Sequence, residues 1–180
     1  MKYIGKKYIG AAILCSLMAC ANSEQKGAGK EDTVVSSVDS SQTTAVKLND
    51  PEVASIYDAY IKLKNDLVAT DFAAAQASAK ALAASLKNKQ GCENTALIAE
   101  KISSAKDIAS QRKEFTLLNT DVIAMFKHSD LASGVIYVQH CPMANDGEGG
   151  DWLSSNEKIQ NPYYGDEMME CGAVVEQIKK

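Results

Sequence analysis

The stretch "YVQHCPMAND", Tyr137 to Asp146, places a histidine, a cysteine and a methionine within four residues, His140, Cys141 and Met143. Some thirty residues later "MMECG" adds Met168 and Cys171. In extended chain, positions i and i+2 face the same side, so Cys141 and Met143 are expected to converge while His140 points away unless it turns inward. In a single turn, positions i and i+3 meet, which brings Met168 to Cys171. Two thiolates and two thioethers suit Cu(I) or Ag(I) and do not suit Mg(II) or Ca(II). Trp152 then serves as an aromatic cap over the ion. The same two cysteines also make a disulfide if the chain brings them together. The residues alone leave both readings open.

Other chemistry is poorly supplied. His140 and Cys141 are adjacent in a strand-like run, so their side chains diverge and cannot share a proton as nucleophile and base. Asp146, Glu148 and Asp151 lie among glycines, but their spacing is not that of a calcium loop. No phosphate-binding glycine loop and no serine nucleophile elbow occurs. The expectation is a protein that is not an enzyme. Cys92 falls in a helix connection as a free buried thiol, and Met125 belongs to a helical core stripe.

Those candidate ligands need elements to hold them. "VIYVQ" (135–139) and "AVVEQI" (173–178) are β-branched runs that predict a two-stranded ribbon with Cys141 and Cys171 at one end. The intervening loop carries Trp152, Pro162, Tyr163 and Tyr164, which argue that it is ordered. Upstream, Asp50 and Pro51 open a helix whose stripe is Val53, Ile56, Tyr57, Tyr60, Leu63 and Leu67. Thr70 is placed to cap a second helix with Phe72, Ala75, Ala79, Leu82 and Leu86 on one face. A shorter third helix carries Leu97, Ile98 and Ile102. A fourth runs from about Asp107 with Phe115, Leu118, Val122, Met125 and Phe126. The fold class is therefore mainly α, an up-down four-helix bundle with a small C-terminal two-stranded ribbon and a long ordered loop.

The N-terminus predicts the compartment. "MKYIGKKYIGAAILCSLMAC" has a basic start, a short apolar run and a lipobox-like "LMAC", so 1–19 reads as a lipoprotein signal and Cys20 as the lipidated first mature residue. Residues 20–48 are rich in Ser, Thr, Gly and charge and read as a flexible tether with a span of roughly 30 Å. The folded domain is expected over 49–180. The chain has a formal charge of −4, and losing Lys2, Lys6 and Lys7 leaves the mature form about seven charges negative. That balance argues against nucleic acid as a partner. The expected place is the bacterial cell envelope, lipid-anchored and facing the periplasm.

The runs "IYVQHCPMAND", "DWLS", "NPYYG" and "MMECG", with "QRKEF" in the fourth helix, resemble a family of exported bacterial proteins classed as domain-of-unknown-function family 3347. Its members are similar to, and sometimes fused with, periplasmic adaptors of copper and silver efflux systems. The resemblance implies heavy-metal handling, with an efflux adaptor or another envelope protein as partner. "CPM" also looks like the core of small heavy-metal-binding domains, although Tyr137 stands four residues before Cys141. The expected function is an envelope lipoprotein that binds Cu(I) or Ag(I) as scavenger, chaperone or efflux accessory. The competing expectation is a module stapled by a Cys141 to Cys171 disulfide, docking a protein through Trp152, Tyr163 and Tyr164.

Overall fold

The computed structural model describes residues 45–180. The expected signal segment, the Cys20 anchor and nearly all of the expected tether lie outside the described residues. Nine elements follow in order: β1 (Lys47–Leu48), α1 (Pro51–Val68), α2 (Phe72–Lys87), α3 (Glu93–Ser103), α4 (Ile108–Lys127), β2 (Leu131–Ser133), β3 (Ile136–Cys141), β4 (Gly150–Ser154) and β5 (Ala173–Ile178). The fold is mainly helical, with small antiparallel sheets. No helix among the described residues is long and apolar enough to cross a membrane.

The helices start where local chemistry satisfies their free N–H groups. The Asp50 carboxylate accepts from the Glu52 and Val53 amides at 2.8 and 3.4 Å, with Pro51 in the first turn. Asp107 opens α4 in the same way through the Ser110 amide at 2.7 Å. Asp71 caps α2 by accepting from Ala74 at 2.9 Å, which corrects the expectation for Thr70. Thr70 instead takes φ +56°, and its hydroxyl accepts from Arg112 Nη2 at 3.0 Å. A β-branched residue in the left-handed region is strained, and the Arg112 bond helps to hold it there.

Every apolar position of the α1 stripe is buried. α1 packs on α2, α2 on α3 and α3 on α4, with Ala75, Ala79 and Ala83 keeping the α2 contacts close. Two aromatic pairs join α1 to α4: Tyr57 edge-on to Phe126 at 5.3 Å, and Tyr60 stacked on Phe115 at 5.7 Å. Such pairs add about 0.5–1.5 kcal/mol each beyond area burial.

Two sheets complete the domain. β1 pairs with β2, which joins Lys47 and Leu48 to the segment after α4. β3 lies between β4 and β5, antiparallel to both. The expected two strands do pair, but a third joins them on the other side of β3. β4 comes from the segment expected to be loop, because Trp152, Leu153 and Ser154 are buried although glycines precede them. Among the described residues the outer edge of β4 meets no fourth strand. The Tyr60 hydroxyl accepts from the Leu153 amide at 2.9 Å and donates to Asn119 Oδ1 at 2.6 Å. The Tyr163 hydroxyl donates to the Asp151 carbonyl at 2.8 Å and accepts from Asn119 Nδ2 at 3.1 Å.

One buried side chain works against this packing. Lys64 on α1 is 3% exposed, and burial holds its ammonium pKa down to about 8 from the ordinary 10.5. Between those values the unfolded chain binds more protons than the folded one, so stability attributable to this site rises with pH across that window. Lys64→Met should therefore raise unfolding stability by about 1–3 kcal/mol at pH 7, with the gain shrinking towards pH 10.5. Urea melts at the two pH values check this. A gain that did not change with pH would assign the effect to packing alone.

Candidate functional site

The pairing of β3 with β5 brings the two candidate thiols together. His140 stands opposite Ala173, the last register pair of that ladder, so Cys141 and Cys171 flank its end. Their sulfurs are 2.9 Å apart, as free thiols. Cys141 is fully buried and Cys171 is partly open. The Cys171 thiol is pushed above its ordinary value, first by its hydrogen bond with Cys141 and then by burial, while the Met143 backbone amide opposes that shift.

This approach depends on Gly172. Its φ is +141°, and a Cβ there would stand 2.7 Å from the His140 carbonyl oxygen and 3.0 Å from Trp152 Cη2. Only glycine lets the chain enter β5 this close to both groups.

The other expected ligands are placed differently. β3 ends at Cys141, and the chain turns at once, the Ala144 amide donating to the Cys141 carbonyl at 3.4 Å. The i to i+2 alternation therefore does not carry Met143 to the face of Cys141, and its side chain is 53% exposed. Met168 does share a turn with Cys171, whose amide donates to the Met168 carbonyl at 3.0 Å. His140 belongs to the opposite face of β3, and its Nδ1 lies 2.7 Å from Asp151 Oδ1 across the β3 and β4 pair. It does not turn inward, because alternation along a paired strand fixes its side. Among the described residues no group of three or more His, Cys, Asp or Glu side chains is spaced to hold a metal ion.

The aromatic residues also need correcting. Trp152 is fully buried, with its ring edge-on to Tyr163 at 6.1 Å, and Tyr163 is 6% exposed. Both are core residues and neither presents a docking surface. Tyr164 is partly exposed, and its hydroxyl donates to the Met143 carbonyl at 2.5 Å.

"NPYYG" therefore acts as a clamp. Asn161 is fully buried; its Nδ2 donates to the Cys171 carbonyl at 3.0 Å and its Oδ1 accepts from the Tyr163 amide at 2.8 Å. The Pro162 carbonyl accepts from Arg112 Nε at 2.9 Å, tying the loop to α4. Gly165 has φ +59°, and a Cβ there would run into Thr70 Oγ1 and the Val68 carbonyl. Gln139, also fully buried, donates to the Asn156 and Glu157 carbonyls at 2.9 and 3.1 Å. Asn161, Gln139 and Asn119 were not among the candidates read from sequence. The only sign of them was a polar residue inside an otherwise apolar run, or an asparagine before a proline.

Residues 56–134 match the model of a family described as "Protein of unknown function (DUF3347)". The match covers most of the helical part of the chain, and Cys141 and Cys171 lie beyond the matched span. No curated protein and no solved structure matches the chain.

Asn161→Ala leaves the Cys171 carbonyl and the Tyr163 amide without partners. It should cost about 2–4 kcal/mol from two unsatisfied groups. In the reduced protein it should also speed alkylation of Cys141 at least about tenfold, an effect of about 1.4 kcal/mol. Alkylation at the wild-type rate would show that Asn161 does not hold the thiol pair closed.

Proposed function

We propose that this protein is an exported, lipid-anchored envelope protein that binds Cu(I) or Ag(I) through the Cys141 and Cys171 thiols, as scavenger, chaperone or efflux accessory. In this reading 1–19 is the signal, Cys20 the anchor, and 20–48 the tether that holds the domain clear of the membrane on the periplasmic side. The four helices act as an up-down platform, and the pair of β3 and β5 is the ribbon that presents the site. The partner is a periplasmic efflux adaptor or another envelope protein. No catalytic step is assigned.

The observation that carries the proposal is the contact of two free thiols, drawn from the two ends of a thirty-residue excursion, with methionine-bearing turns on both sides. A soft monovalent ion suits such sulfur donors. Two sulfurs bonded to one ion at about 2.3 Å stand about 3.8 Å apart in tetrahedral geometry, so loading has to part this pair by roughly 1 Å. Met143 and Met168 then complete the shell by side-chain rotation. Binding displaces the thiol protons, so affinity falls as pH falls, whereas the thioether contribution does not depend on pH.

The 2.9 Å spacing also favours a second reading. Exchange with an oxidised dithiol of the envelope would close the pair to about 2.05 Å, leaving a stapled module that takes no metal until it is reduced.

Reduced protein should bind Ag(I) at this pair, and Cys141→Ser and Met143→Leu should each weaken that ion at least about tenfold, or about 1.4 kcal/mol. Leucine keeps the volume of methionine and removes only the sulfur donor. Competition against a chelator of known affinity reads the change. Equal affinity in Met143→Leu and wild type would remove that thioether from the site. Resistance of both thiols to alkylation until reductant is added would make the stapled form the resting state.

A further inference from the structure

A second pair of sulfurs lies on the helices, away from β3 and β5. Cys92 is the residue from which α3 starts, and Met125 lies in the last turn of α4. The packing of α3 on α4 brings Cys92 Sγ to 3.9 Å from Met125 Sδ. Both line a cavity of about 470 Å³, together with Asn94, Thr95 and Asp121. We propose that Cys92 and Met125 form a second soft-metal site, which takes Cu(I) or Ag(I) between a thiolate and a thioether. It is independent of the reading given to Cys141 and Cys171.

Geometry separates the two pairs. Metal–sulfur bonds of about 2.3 Å place sulfurs 3.9 Å apart at an angle of about 115° at the ion. That is close to trigonal and leaves one position free towards the cavity. At the 2.9 Å of the other pair the same bonds would need about 80°. Cys92 and Met125 therefore stand near the separation of co-ligands, whereas Cys141 and Cys171 have to move further apart.

The charge balance also fits a monovalent ion. The Cys92 thiol is pushed above its ordinary value, chiefly by burial and then by Glu93, and Lys89 opposes the shift. An incoming soft ion displaces the thiol proton to solvent, one proton for one positive charge, and the thiolate with its ion is then neutral. A neutral complex costs little desolvation in a cavity that is partly apolar. The thioether contributes no charge, and the nearby Asp121 carboxylate is already engaged by the Thr95 hydroxyl at 2.9 Å. Divalent Mg(II) or Ca(II) would find neither the charge nor the oxygen cage that it requires.

The test uses the full-length chain with Cys15→Ser and Cys20→Ser, so that thiols outside the described residues bind nothing. Native mass spectrometry counts Ag(I) on the reduced protein, and chelator competition gives the affinities. Two ions are expected. Cys92→Ser should lose one, and Met125→Leu should weaken one at least tenfold with an unchanged circular dichroism spectrum. If Cys92→Ser fails to fold, the volume-conserving Met125→Leu decides. The proposal is overturned if both variants bind two ions as tightly as the background, or if only Cys92→Ser weakens binding, because the thioether would then take no part. Cys141→Ser with Cys171→Ser keeps the readings distinct. Its loss of the other ion supports both sites, and full silver uptake by it would fell the dithiol reading while leaving the Cys92 result to stand or fall alone.

Discussion

An edge strand exposes a row of N–H and C=O groups that must find partners. In this domain the outer edge of β4 finds them in two tyrosine hydroxyls, with Asn119 bonded to both. That network joins the sheet to α1 through Tyr60, to α4 through Asn119, and to the C-terminal loop through Tyr163. An unsatisfied buried group costs about 1–3 kcal/mol, so losing one member strands its neighbours as well. A chain of ring contacts through Tyr60, Phe115, Tyr163 and Trp152 runs alongside, with successive centroids 5.7, 5.9 and 6.1 Å apart. The position of β3, and so of Cys141, is set against the helices by these contacts.

The loop then has to return Cys171 to Cys141. Asn161 holds the Cys171 carbonyl, Arg112 holds the Pro162 carbonyl, and Gly172 gives the chain room to enter β5 beneath Trp152. Each of these bonds ties backbone to a side chain, which suits a segment with little secondary structure of its own. The thiol pair is thus held from both ends by the body of the domain. The sulfur contact follows from strand pairing and clamping.

The helices were legible in the sequence because their apolar stripes repeat with the helical period and Asp50 and Asp107 precede two of them, whereas the cap of α2, expected at Thr70, is Asp71. The meeting of Cys141 and Cys171 was legible for a related reason, since each cysteine adjoins a β-branched run. What was hidden depended on contacts distant in sequence. β4 is only five residues long and follows glycines, so its alternation was too short to separate from loop. Met143 was expected on the Cys141 face of an extended strand, but Pro142 and Ala144 belong to a turn, where the two-residue period stops. Trp152 and Tyr163 looked free to cap or dock because their burial comes from Phe115, Gly150 and Gly172, none of them near in the chain. Likewise, Cys92 and Met125 are thirty-three residues apart, and nothing local signals that their sulfurs meet.

The central claim is that Cys141 and Cys171 are ligands of a soft ion. X-ray absorption at the copper edge tests it most directly, on reduced full-length protein carrying Cys15→Ser, Cys20→Ser and Cys92→Ser and loaded with one equivalent of Cu(I). The account predicts a first shell made only of sulfur at about 2.3 Å, which is lost when Cys141→Ser is added. A shell of nitrogen or oxygen at about 2.0 Å, or a sulfur shell unchanged by Cys141→Ser, would contradict it.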